Sequence, residues 1–188
     1  TLPVYCTMTF ASGGRSLTGC TLPCFALTAQ SLGVSALGLN CSVGPVQMYD
    51  MMSKLAQYTD LPLICKPNAG MPDPATGLFD VEAAEFAALC ARTAACGVTL
   101  FGGCCGTDPT YIRALSDRLQ DAQFERPELM ETAYLICSAS QIRDIRSCAA
   151  THVFSDHAAA DAMKRRDYSG LAEVAESLEG DALVLDIH

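Results

Sequence analysis

The chain is 188 residues long, half of them apolar and 18% charged, with a formal net charge of −9. That length can bury a core, and that apolar content excludes a disordered chain. The acidic balance, with Lys164-Arg165-Arg166 as its only basic run, excludes a nucleic-acid surface. No apolar stretch approaches the ~20 residues that cross a bilayer, and no signal peptide is visible. Eleven cysteines is a high and odd number. Cys6, Cys65, Cys90 and Cys96 fall inside helical and strand patterns rather than in the loops of a short disulfide scaffold, which points to a reducing, cytoplasmic setting. The chain begins at Thr1 without an initiator Met, an indication that residues have been removed upstream.

In chain order, Leu2 to Phe10 is apolar with β-branched Val4, Thr7 and Thr9, and predicts a buried strand stopped by Ser12-Gly13-Gly14. Leu22 to Leu32 predicts a helix that ends at Gly33. Val34 to Cys41 is the next strand. Gly44-Pro45 opens a helix from Val46 to Tyr58, with Pro in its first turn. Leu61 to Lys66 is a strand stopped by Pro67-Asn68-Ala69-Gly70. Val81 to Ala95 is an amphipathic helix ended by Gly97, and Val98 to Phe101 is a strand. Asp108 and Pro109 start a helix to Leu119, Asp as cap and Pro in the first turn.

Strands starting near residues 3, 34, 62 and 98 make four βα units, each of roughly 30 residues. Apolar strands alternating with helices predict an α/β fold with a parallel sheet covered on both faces. The glycine-rich and polar segments follow the strands. Both a (β/α)8 barrel and a doubly wound open sheet place their ligands there. Gln120 to Glu131 is polar and reads as a linker. Beyond it, Ala133 to Ser138 and Thr151 to Phe154 read as short strands, Asp156 to Leu178 as a helix, and Ala182 to Ile187 as a final strand.

The chemistry lies in Gly102-Gly103-Cys104-Cys105-Gly106-Thr107 and in Cys41. Adjacent side chains on a strand point to opposite faces, so Cys104 and Cys105 can share a metal only where glycines let the backbone leave strand geometry. Cys41 ends a parallel strand two units earlier, and so lies at the same end of the sheet. Three thiolates on a tetrahedral zinc leave one position open, the mark of a catalytic rather than a structural site. Buried thiols at a tight turn are the plain alternative, with an iron–sulfur cluster or a redox pair as a third. A zinc bound by three thiolates suits a thiol in its fourth position. Coordination deprotonates that thiol, and the thiolate can attack a carbon electrophile.

At these residues the chain resembles the homocysteine S-methyltransferase family, in particular the homocysteine-binding barrel of its cobalamin-dependent branch. The matching segments are Val4-Tyr5-Cys6-Thr7-Met8-Thr9-Phe10 with Gly14-Arg15, Ala36 to Pro45, Lys66 to Pro72, and Gly102 to Pro109. They cover residues 1–119. The resemblance implies the second half of a TIM barrel. Cys41, Cys104 and Cys105 would bind Zn2+, and homocysteine sulfur would complete the tetrahedron. Asn68 would line the amino-acid pocket, with Asn40 and Thr9 as further substrate-binding candidates at the same mouth. The first half of the family's barrel is not matched, so the sheet should have two open edges. Those edges need the missing barrel half, a second copy or the tail.

Residues 132–188 resemble the opening of the pterin-binding barrel that follows in such proteins, through Ser138-Ala139-Ser140, Ala162 to Tyr168, and Ala182 to Ile187. Ser155-Asp156-His157 stands where that family has a Gly-Glu-Arg type loop, which argues against folate binding by this chain. The implied function is zinc activation of homocysteine for methyl transfer from methylcobalamin or 5-methyltetrahydrofolate, giving methionine. The cobalamin would be held by another domain or protein. A non-catalytic zinc-binding fragment, acting as a structural or assembly piece, is the rival reading. His152, His157 and His188 carry no catalytic role in either.

Overall fold

The computed structural model describes residues 2–147, 151–154, 165 and 182–185. They fall into two compact units, one drawn from Thr1–Ala133 and Cys137–Ile142, the other from Tyr134–Ile136 and Arg143–His188. In the first unit four parallel strands alternate with four helices: β1 (Tyr5–Met8), α1 (Leu22–Ser31), β2 (Ala36–Asn40), α2 (Pro45–Leu55), β3 (Leu63–Lys66), α3 (Ala83–Ala91), β4 (Val98–Phe101) and α4 (Pro109–Leu119). The spatial order equals the chain order, β1-β2-β3-β4. Cys6 pairs with Leu37, Leu37 with Leu63, and Leu63 with Val98. This is an α/β fold that matches part of a TIM barrel.

Strand alternation decides what faces what. Leu37, Leu39, Leu63, Cys65 and Val98 pack on Phe25, Ala26, Met48, Met52 and Leu55 from α1 and α2. Each large apolar side chain buried there stabilises by roughly 1.5–3 kcal/mol. The intervening residues, Thr7, Gly38, Asn40, Ile64 and Lys66, therefore lie on the opposite face of the sheet. Gly38 is needed there because a Cβ would stand 1.9 Å from the Ile64 carbonyl oxygen.

The starts of α1, α2 and α4 follow the sequence rules, whereas α3 begins at Ala83 with no side-chain cap. Proline occupies the first turn of α1, α2 and α4, and the Asp108 carboxylate accepts from the Thr110 backbone N–H at 2.7 Å. Two helix ends differ from the reading. The helices after β2 and β3 tighten into 3-10 turns at Ala56–Tyr58 and Arg92–Cys96, the second closed by Gly97 at φ +85°.

The first strand is a correction. Only Tyr5–Met8 is strand, and it is not buried: Leu2 is 90%, Val4 56% and Tyr5 62% exposed. Among the described residues β1 has a neighbour on one side only, so its apolar residues outline an edge instead of a core. The sheet is accordingly not covered on both faces along its whole width.

No helix or strand lies between Leu119 and Leu135, yet the segment is tied down. Glu125 N–H donates to the Ala94 carbonyl, Met130 N–H donates to the Gln57 carbonyl, and Phe124 meets Phe101 edge-on. Farther along, β5 (Leu135–Cys137) pairs with β6 (Ile142–Asp144), a strand the sequence pattern did not reveal. β7 (Thr151–Phe154) runs parallel to β8 (Ala182–Leu185). Apart from Arg165, which is helical, the helix read at 156–178 and the segment 162–168 lie outside the described residues, as do His157 and His188. Among the described residues no helix is long and apolar enough to cross a membrane.

Candidate metal centre

Three loops at the C-terminal end of the sheet carry the cysteines, and backbone hydrogen bonds stitch the loops together. Cys41 follows β2 and donates its N–H to the Lys66 carbonyl at 3.0 Å. The backbone then turns sharply. Cys41 and Ser42 take φ +62° and +68°, and Val43 N–H closes back on the Cys41 carbonyl at 2.8 Å. Non-glycine residues in the left-handed region cost of order 1–3 kcal/mol each and gather at functional sites. Here the left-handed turn takes Cys41 and Ser42 out of strand geometry.

The loop after β3 is the spacer. Asn68 N–H donates to the Val43 carbonyl, Cys104 N–H to the Pro67 carbonyl, and Ala69 N–H to the Cys105 carbonyl. The Asn68 side-chain oxygen accepts from the Cys105 N–H at 3.1 Å, and Asn68 is 5% exposed. After β4 the chain leaves strand geometry through Gly102 and Gly103. Thr107 closes the turn, its N–H and hydroxyl donating to the Cys104 carbonyl at 3.2 and 2.7 Å. Gly103 leaves room for this, since a Cβ there would meet the Thr107 hydroxyl oxygen at 2.3 Å. Gly106 supplies φ +78°.

The result is convergence. The sulfurs of Cys41, Cys104 and Cys105 lie within 4.8 Å of one another, and Cys41 and Cys105 are 3.6 Å apart. Zinc–sulfur bonds of about 2.3 Å at the tetrahedral angle separate two sulfurs by about 3.8 Å, so the donor set fits that ion. Cys41 and Cys104 are half-buried and Cys105 is exposed, which leaves the cluster open on one side. Iron–sulfur clusters are usually held by four cysteines. Among the described residues, no fourth metal-binding side chain joins these three.

Electrostatics separates the thiols. Burial pushes Cys41 up, but the Ser42 backbone N–H and hydrogen bonds from Cys104, Cys105 and Asn68 outweigh it, and its thiol lies below the ordinary value. Cys104 moves the other way. Burial, then its hydrogen bond to Cys41 and the Cys41 charge, push it up to about 11. Cys41 is thus the first of the pair to ionise.

Of the other site candidates, Asn40 and Thr9 meet at the same strand ends, with the Asn40 amide donating to the Thr9 hydroxyl at 3.4 Å. Asn68 touches the cysteine loops directly. Sequence reasoning missed Ser42, whose left-handed backbone no glycine announces, and Thr107, whose hydroxyl position behind a Gly-Gly-Cys-Cys-Gly turn was the available signal.

A family model for homocysteine S-methyltransferase matches residues 1–119, which hold all of β1 to α4. The chain belongs to the homocysteine S-methyltransferase family. It is 36% identical over 132 residues to the methionine synthase of Mycobacterium tuberculosis (strain ATCC 25618 / H37Rv), across 68% of this chain and 11% of that protein. To the methionine synthase of Mycobacterium leprae (strain TN) it is 35% identical over 118 residues, across 61% of this chain and 10% of that protein. The chain thus spans about a tenth of the length of these relatives. Within the family match, Cys41, Cys104 and Cys105 form a cluster that can bind a metal.

Proposed function

We propose that this chain is the homocysteine-activating module of a methionine-forming methyltransferase. The observation that carries the reading is the convergence of Cys41, Cys104 and Cys105 sulfurs within 4.8 Å in a member of this family. These three side chains would hold Zn2+, which supplies a Lewis acid that keeps a coordinated substrate thiol ionised at neutral pH.

The chain's own groups do the rest. The strained Cys41–Ser42 turn and the Asn68 bridge to Cys105 fix the donor set before substrate arrives, so little reorganisation is needed. Asn68, Asn40 and Thr9 are the side chains we assign to the amino-acid part of homocysteine. They lie at the same end of the sheet as the cysteines. The substrate sulfur takes the methyl carbon; a carbon–sulfur bond forms, and the bond to the donor breaks with its electron pair leaving on the donor. We take the donor to be methylcobalamin on another domain or protein, recharged from 5-methyltetrahydrofolate.

In the same reading, residues 1–119 are the homocysteine-binding unit, 120–131 a linker, and 132–188 the start of a pterin-binding domain. Among the described residues β1 and β4 are edge strands, so the working protein covers them with further barrel strands, a second copy or the tail. The setting is the cytoplasm.

The test is zinc content of the purified chain, with the zinc X-ray absorption edge recorded with and without homocysteine. The expected result is about one zinc per chain whose edge gains a sulfur ligand when homocysteine is added. Absence of zinc, or a spectrum indifferent to homocysteine, would leave a fragment with no thiol-activation role.

A further inference from the structure

Between Gly70 and Val81 the chain makes a closed excursion beside the cysteine turn. Pro72 and Phe79 face each other in an antiparallel bridge, and Asp73 N–H donates to the Leu78 carbonyl at 2.8 Å. Inside the loop the Asp73 carboxylate accepts from the N–H groups of Ala75 and Thr76 and from the Thr76 hydroxyl, at 2.9, 2.8 and 3.1 Å. The stem is clamped as well. Asp80 accepts from the Met71 N–H at 3.0 Å, Val81 N–H donates to the Ala69 carbonyl at 3.1 Å, and Ala69 N–H donates to the Cys105 carbonyl at 2.9 Å. The excursion is therefore a folded piece fastened to the same backbone that carries Cys105.

One side chain of this piece reaches the turn. The Phe79 ring lies against Gly106, so closely that a Cβ at Gly106 would stand 2.3 Å from the ring's Cγ. Leu78 beside it is 70% exposed, whereas Phe79 is half-buried. Hydrogen bonds to Pro67, Asn68 and Ala69 already hold the turn's backbone, and what Phe79 adds is side-chain packing on it. Gly102, Gly103 and Gly106 have no side chains to pack, and Cys105 is exposed.

We propose that Phe79 is a positioning residue for the metal centre: its ring, pressed on Gly106, holds the Cys104–Thr107 turn so that the Cys105 sulfur stays within bonding reach of Cys41. The proposal rests on the reading of the three cysteines as metal ligands given under Proposed function. Removing a group that orients a metal ligand typically lowers metal affinity by about 10–100-fold.

The experiment compares the full chain with Phe79→Ala, Phe79→Leu and Phe79→Tyr. Zinc affinity is read by competition with a colorimetric chelator. Thiolate ligation is read from the sulfur-to-metal absorption of the cobalt(II) form. Phe79→Ala should lose about 10–100-fold in zinc affinity with a weaker cobalt band, and Phe79→Tyr should restore both. Phe79→Leu keeps apolar bulk without the flat ring, and gives the same reading where the alanine variant does not fold. Amide exchange on the metal-free chain adds an independent readout. In the variant, the Cys105 and Thr107 amides should exchange faster while those of Leu37 and Leu39 do not change. Unchanged zinc affinity and cobalt spectrum, or exchange that rises equally in the sheet, would overturn the proposal. A parent chain that binds no zinc would sink the functional reading alone, because the exchange comparison needs no metal.

Discussion

Cys65 is 1% exposed between the sheet and the helices, and burial pushes its thiol up to about 12. Burial moves Cys90 in the same direction. Neither thiol can ionise near neutral pH, so both act as small apolar groups. Cys41 differs because hydrogen bonds to its sulfur outweigh its burial. The contrast makes a paired prediction. Cys104→Ser should cut zinc content well below that of the parent, and unchanged metal content would sink the three-thiolate site. Cys65→Ala should leave zinc content untouched and cost about 1 kcal/mol in denaturant unfolding, the worth of one buried methylene-sized group. Metal loss in the second variant would mean that the two kinds of cysteine had been confused. Cys41, Cys104 and Cys105 were legible in the sequence because glycine neighbours and strand ends announce them. The left-handed Ser42 was not, since a serine gives no sign of φ +68°.

At the level of single elements, what could be read was what local chemistry dictates. Prolines and Asp108 gave the helix starts, because a cap and a fixed φ act on the residues beside them. The 3-10 ends of the second and third helices were hidden, because they depend on how the chain must arrive at β3 and β4. The exposure of β1 was hidden for a similar reason: an apolar run does not say which of its sides has a neighbour. Gly38 marks a contact between elements, and it yields a sharp expectation. Gly38→Ala would drive a methyl group into the Ile64 backbone, which cannot rotate away, and should cost about 3 kcal/mol or prevent folding. Wild-type stability in that variant would mean β2 and β3 can separate. Asp108 gives a pH prediction. The Thr110 hydroxyl and N–H hold its carboxyl below the ordinary 3.8. A depressed folded-state value means stability that is present above pH 3.8 and lost as pH falls through the lower folded value. Asp108→Ala should therefore flatten the acid limb of a stability–pH curve. An unchanged limb would remove the cap from the account.

Across the four-strand unit, an ion held by the three cysteines would also be a staple. Cys41 follows β2 and Cys104 follows β4, so an ion bound to both joins strands that have β3 between them. Zinc that binds the folded chain and not the unfolded one should stabilise it, by about 2.7 kcal/mol when free zinc is 100 times its dissociation constant. The pH dependence then changes sign with metal. Without it, Cys104 has a folded-state value raised from 9.0 to about 11, so its contribution is fully present below pH 9 and lost as pH rises toward 11. With zinc the thiols must give up their protons, so the metal's contribution grows as pH rises and fades in acid. Thermal unfolding between pH 6 and 9, with zinc and with a chelator, should give two curves that draw apart as pH rises. Parallel curves would mean that no proton leaves Cys104 when metal binds, and a thiolate-held ion could not then be the staple.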